Sequence, residues 1–250
     1  MVYITNKTFE KLADTSVELL ARHCNTLINV IAQMQKVSYN KVQIDCDWSL
    51  ATRDKYFHFL RAFKNISKCQ TEATIRLHQV KYRQLTGVPP ADKGVLMFYN
   101  MGKIGADLAL PNSIYNEADA AKYLDNLKNY PLLLDVALPV FSWSLQIQDG
   151  HIVHINNRIA REELSGDNFF KIDNNIYRAK RSFFFDGIYV KENDIFKLEE
   201  INAQSLEKAA RQLASHLSPQ QNRTIIFYEL GSLNPHEFSP EQIRQVSDHF

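Results

Sequence analysis

The run Val42-Gln43-Ile44-Asp45-Cys46-Asp47-Trp48-Ser49 sets two carboxylates and an indole side by side at the end of a short apolar strand. Ionised carboxylates are costly to remove from water. Where a strand gives way to a helix they are seldom present for packing alone, because that junction is where (β/α) folds collect their working side chains. Carboxyl groups there can move protons or hold a polar ligand, and an indole offers a large amphipathic face. Other apolar runs end in a similar way: His78 near the end of 73–79, Tyr99 and Asn100 at the end of 94–100, Trp143 just after 132–141, and Tyr228 and Glu229 at the end of 224–229. Each also has a purely structural reading. Asp45 can be an interior carboxylate bound by backbone N–H groups, Trp48 can pack beneath a loop, and His78 can be a satisfied hydrogen-bonding histidine.

The elements that must position these residues alternate along the chain. Residues 2–5 read as a strand entered partway. Residues 9–35 repeat Leu12, Val17, Leu20, Cys24, Leu27, Ile31 and Met34 at a helical period. A strand at 42–47 is followed by a helix near 52–66, with Thr52 as N-cap and Tyr56, Phe59, Leu60, Phe63 and Ile66 on one stripe. Strands at 73–79, 94–100 and 132–141 follow, with an acidic helix start at Asn116-Glu117-Ala118-Asp119 between the last two. Short alternating runs between about 146 and 200, split by Asp-Gly and Asn-Asn turns, break the rhythm and suggest an inserted antiparallel piece. A helix carrying Leu206, Ala210, Leu213 and Leu217, the strand 224–229 and a helix opened by Ser239-Pro240-Glu241-Gln242 complete the chain. Repeated strand–helix units predict a parallel sheet, either a closed (β/α) barrel or an open doubly wound one. With no GxGxxG or Walker-type loop in the sequence, the barrel is favoured and no nucleotide cofactor is expected.

Composition narrows the partners. The formal net charge of +1 implies neither nucleic acid nor an anionic membrane surface. There is no apolar run long enough for a membrane span, and the N-terminal residues lack the pattern of a signal peptide. The three cysteines, Cys24, Cys46 and Cys69, have no metal spacing and read as buried thiols. His151 and His154 fall on opposite faces of a strand-like run and make a poor metal pair, so no metal is expected. Arg178, Lys180 and Arg181 before Phe183-Phe184-Phe185 read as an aromatic anchor for the inserted piece. Lys81 and Arg83 read as solvated loop charges.

Four strand ends resemble, in order, those of the family 18 glycoside hydrolases, the chitinase-like barrels. That family's strand four reads D-x-x-D-x-D-x-E; here Val42 stands at the first acidic position, Asp45 and Asp47 match the middle two, Trp48 matches a frequent tryptophan, and Ser49 replaces the glutamate. Met97-Phe98-Tyr99-Asn100 resembles the family's Met-x-Tyr-Asp, and Ala137-Leu138-Pro139-Val140-Phe141-Ser142 is a looser match to strand seven. Tyr228 takes the place of the strand-eight tryptophan, and the irregular 146–200 region sits where many members insert a subdomain. The chain also resembles an uncharacterised bacterial group of chitinase-like barrels with a Gln-x-Asp-x-Asp strand. In this register residues 2–5 form strand three, so the resemblance implies a barrel lacking its first two strands: the expectation is first a fragment or mis-started reading frame, otherwise edges covered by rearrangement or a second chain.

The resemblance implies a (β/α) TIM-type barrel over residues 1–145 and 201–250, with an inserted β-rich subdomain at 146–200. In the family the glutamate protonates the leaving oxygen while a neighbouring aspartate orients the substrate's acetamido group. Ser49 supplies no such proton. The implied function is glycan binding at a degenerate chitinase-type site. Asp47 would hold an acetamido group, Tyr99 and Asn100 would donate hydrogen bonds, and Trp48, His78, Trp143 and Tyr228 would line the sugar site. Two alternatives stay open: an active glycoside hydrolase using Glu229 or Asp45 with Asp47, and a structural domain of an envelope protein. The expected partner is an oligosaccharide, and the implied parent protein is secreted or belongs to the cell envelope.

Overall fold

The computed structural model describes residues 1–157, 159, 161–185, 187–229 and 237–250. Its residues group into two units, the first formed by Met1–Met97, Tyr123–Val136 and Leu217–Thr224, the second by Phe98–Lys122, Ala137–His216 and Ile225–Phe250.

The first unit opens with β1 (Val2–Tyr3), α1 (Asn6–Lys11), α2 (Val17–Gln35), β2 (Lys41–Asp45), α3 (Arg53–Ser67), β3 (Gln70–Arg76), α4 (Leu77–Lys81), α5 (Arg83–Thr86) and β4 (Lys93–Met97). The strands pair parallel in one register, with Val2 opposite Ile44, Ile44 opposite Ala73 and Ala73 opposite Gly94. Gly94 is required by this packing, since a Cβ there would stand 2.7 Å from Leu134 and 2.9 Å from Ile75. Asp135 is buried and ties the strand bases together. It accepts from Lys93 Nζ at 2.6 Å and from the Thr224 N–H at 2.8 Å.

The helix predicted over 9–35 and the strand predicted over 73–79 differ from the sequence expectation. The single helix predicted over 9–35 is split into α1 and α2 by a 3₁₀ turn at Asp14–Ser16. Leu12 adopts an extended conformation and its carbonyl accepts from Lys55 Nζ at 2.7 Å, which satisfies the chain at the break. The buried side of α2 is Val17, Ala21 and Ala32, while Leu27, Ile31 and Met34 are exposed. Small side chains suffice there because α3, which α2 packs against, buries Tyr56, Phe59, Leu60 and Phe63. The strand predicted over 73–79 stops at Arg76, because Gln79 Oε1 accepts the Arg76 N–H at 2.8 Å and opens α4 as a capping box.

Further along come α6 (Glu117–Leu124), β5 (Leu134–Pro139), β6 (Ser142–Gln148), β7 (His151–Asn156), α7 (Arg161–Leu164), β8 (Phe169–Asp173) and β9 (Ile176–Ala179). Then follow β10 (Phe183–Phe185), β11 (Ile188–Val190), β12 (Ile195–Glu200), α8 (Ala203–Ala214), β13 (Ile225–Tyr228) and α9 (Pro240–Ser247). The parallel sheet has the strand order β1-β2-β3-β4-β5-β13. In the second unit an antiparallel sheet runs β7-β6-β12-β9-β8, beside the hairpin β10–β11. Its core is Phe169, Tyr177, Phe196 and Leu198, with Phe183 and Phe185 of the hairpin packed against it and Phe184 pointing out to solvent. The anchor expected of the Phe-Phe-Phe run is therefore made by its first and third residues, as strand alternation requires. Ser239 caps α9 with Gln242 as its capping-box partner, as the sequence predicts. No described helix is long and apolar enough to cross a membrane.

Candidate functional site

In a parallel sheet, residues two apart on one strand share a face with their neighbours on the next. Ile44 lies opposite Ala73, so Asp45 and Asp47 come beside Thr74 and Arg76. The Thr74 hydroxyl donates to Asp45 Oδ1 at 2.7 Å and in turn accepts the Cys46 N–H at 3.4 Å. Arg76 grips Asp47 with both arms of its fork, Nε to Oδ1 and Nη2 to Oδ2. Such a bidentate pair fixes the orientation of the carboxylate as well as its charge. Burial pushes the Asp45 carboxyl above the ordinary aspartate range, and the Asp47 charge adds to this, against the Thr74 hydrogen bond and the Arg76 charge. Burial likewise drives the Cys46 thiol up to about 12, so it is no nucleophile.

Asp45 sets a pH dependence whose sign follows from that shift. At low pH its carboxyl is protonated in both states. As pH rises the unfolded chain ionises first, so the stability contributed by the protonated form is lost as pH climbs through the raised folded value. The margin by which Asp45→Asn melts above the native chain is expected to widen from pH 3 to pH 7, as read by circular dichroism. A margin independent of pH would contradict the raised value.

Trp48 is 3% exposed. Its ring stacks on Tyr56 at 5.1 Å, meets the edge of Phe57 at 5.8 Å, and its N–H donates to Thr86 O at 3.1 Å. The ring and its donor are thus used inside the protein, and Trp48 packs against the end of α5. Ser49 is exposed, with its N–H bonded to Thr52 Oγ1 at 3.0 Å. His78 lies in α4 rather than at a strand end. Burial lowers its pKa first, then the Arg76 charge, against a smaller opposite pull from Asp47.

The second unit gathers aromatic rings. Tyr99 and Tyr228 stack with centroids 5.3 Å apart and planes within 7°. Phe141 meets both edge-on, at 5.7 and 5.9 Å, and Trp143 packs on Phe141 at 5.5 Å. Tyr99 and Phe141 are buried while Tyr228 is 39% exposed, so Tyr228 is the most exposed ring of the three. Trp143 is half-buried, and its N–H donates to Glu199 Oε2 at 3.0 Å. Asn100 is exposed and left-handed, with φ 55°, a conformation asparagine tolerates better than most residues. Glu229 is half-buried and joined to Tyr228 by a cis peptide bond.

Of the predicted residues, the structure brings Asp45 and Asp47 together at the β2 end, and Tyr99, Tyr228 and Trp143 into one aromatic group. The former belong to the first unit and the latter to the second. Two residues escaped the sequence reading. Arg76 was hidden because its strand was read as running on through Gln79. Glu199 was hidden because the alternation Phe196-Lys197-Leu198-Glu199 looks like a strand with a solvated face. Among the described residues no three metal-ligating side chains converge.

No family model matches the sequence, and no curated protein is significantly similar to it. Solved structures are similar in fold. The spore cortex-lytic enzyme SleL of Bacillus cereus matches 100% of this chain with 59% of its own, at TM-score 0.55 and 17% identity. SleL of Bacillus megaterium QM B1551 matches 100% with 59% of its own, at TM-score 0.55 and 11% identity. A GH18 chitinase from Cycas revoluta, solved in complex with (GlcNAc)3, matches 99% with 80% of its own, at TM-score 0.53 and 11% identity. The chain thus spans 59% of the length of the two SleL chains. Its fold is α/β and chitinase-like, a partial TIM-type barrel with a β-rich subdomain.

Proposed function

We propose that this chain is a carbohydrate-interacting, glycosidase-like protein that binds glycan at a degenerate chitinase-type site without cleaving it. The observation that carries the reading is the Arg76–Asp47 pair. Both carboxylate oxygens accept from one guanidinium, so Asp47 is oriented and its charge balanced by Arg76 rather than held ready for a substrate's acetamido group. Beside it Ser49 has no proton to give a leaving glycosidic oxygen near neutral pH. Binding in turn draws support from Tyr228, whose exposed ring on Tyr99 suits the apolar face of a pyranose. Trp143 borders the stack through Phe141, and the exposed Asn100 would bond a hydroxyl. The ligand class we assign is N-acetylglucosamine oligomers, in line with the (GlcNAc)3 held by the Cycas chitinase of similar fold.

A second reading has one observation in its favour. A carboxyl whose pKa is raised by burial is what a general acid requires, and Asp45 is such a group. Long incubation with chito-oligosaccharides, followed by chromatography of the products, separates the two. The proposal expects the oligomers to be recovered intact. Shortened products that disappear in Asp45→Asn or Glu229→Gln would replace it with an active hydrolase.

A further inference from the structure

Glu199 is an acid without an evident task, sealed inside the second unit. Its side chain is 1% exposed, as is the whole of the residue, and it faces Lys197, whose side chain is 2% exposed, at 3.0 Å. Burying two charges is costly unless the remaining polar atoms are satisfied, so what these two bind shows what the cost is spent on. Lys197 Nζ donates to Leu110 O at 2.7 Å. Glu199 Oε2 accepts the Ser113 N–H at 3.1 Å, the Ser113 hydroxyl, and the Trp143 indole N–H at 3.0 Å. The register explains the last contact, for Trp143 and Glu199 are direct cross-strand partners of β6 and β12.

Ser113 carries the hold further. Its neighbour Ile114 accepts the Asn100 N–H at 2.8 Å, and Ser113 O accepts the Gly102 N–H at 3.0 Å. The approach is close enough that a Cβ on Gly102 would lie 2.8 Å from Ser113 Cα. One carboxylate therefore grips both borders of the aromatic stack. It holds Trp143 directly, and holds the Tyr99-Asn100 segment through Ser113 and Ile114.

We propose that Glu199 is the positioning residue of the sugar platform, fixing the Trp143 ring and the Tyr99-Asn100 turn in the arrangement that receives a pyranose. This rests on the glycan-binding reading above for its ligand, though not for its geometry. Glu199 touches no ligand itself. It acts through the donors it accepts from.

The test exchanges the buried pair as a unit, because removing Glu199 alone would strand the Lys197 charge. Lys197→Met with Glu199→Met keeps the volume and removes every acceptor. Lys197→Met with Glu199→Gln keeps an acceptor oxygen for Trp143 and serves as the rescue. The readout is hydrogen exchange of the Trp143 indole N–H by NMR, its resonance identified by its loss in Trp143→Phe. With both variants folded by circular dichroism, exchange in the methionine pair is expected to be about 100-fold faster than in the native chain, and in the glutamine pair within about tenfold. Affinity for the N-acetylglucosamine tetramer should fall about tenfold or more in the methionine pair and recover in the glutamine pair. Equal exchange in the two folded variants would overturn the assignment whatever the sugar does. If the native chain bound no sugar but the exchange pattern held, the positioning role would stand and the glycan reading alone would fall.

Discussion

Tyr228→Ala is expected to weaken binding of the N-acetylglucosamine tetramer by about 30-fold, or about 2 kcal/mol, in calorimetric titration. The size follows from the place of the ring. Tyr99 and Phe141 are buried beneath it, so truncating Tyr228 removes the outward face of the stack and leaves a floor set too low for a pyranose. Because Tyr228 is already 39% exposed, the loss should fall on affinity rather than on stability. Tyr228→Phe keeps the face and should stay within about threefold of the native chain. An alanine variant with unchanged affinity would place the sugar elsewhere on the protein.

Trp48→Ala is expected to cost about 3–5 kcal/mol of stability, the usual range for truncating a buried tryptophan. The ring is 3% exposed and wedged against Tyr56 and Phe57, and its N–H is spent on Thr86 O. Alanine would leave a cavity and also strip the Thr86 carbonyl of its donor. Against a total stability of roughly 5–15 kcal/mol for a folded domain, that is a large share. Denaturant unfolding measures it, and the fraction that stays folded should bind sugar as the native chain does. A variant that kept its stability and lost binding would return Trp48 to the sugar site, where its sequence neighbours suggested it belonged.

These two aromatic residues show what the sequence could and could not tell. Both stand at strand ends and read alike as stacking surfaces. The difference between them lies in tertiary neighbours: Trp48 is covered by the turn around Thr86, which no local pattern announces, whereas Tyr228 stacks on Tyr99 and stays 39% exposed. The strand–helix alternation was legible because period and capping are local, as at Ser239-Pro240-Glu241-Gln242. The Phe183-Phe184-Phe185 run was legible as an anchor, though not which of its rings face inward. The Arg76–Asp47 pair was not, since it depends on where β3 ends. Gln79, by capping α4, turns a position read as mid-strand into a strand end facing the carboxylates. Glu199 was not legible either, because a buried Lys–Glu alternation and a solvated one have the same letters.

The measurement that bears most directly on the central claim is a calorimetric titration of the folded chain with the N-acetylglucosamine tetramer, with the oligomer analysed afterwards. Saturable binding, with the tetramer recovered whole, is the result the account predicts. Absence of binding by a chain shown to be folded would contradict it, and so would a tetramer returned in pieces.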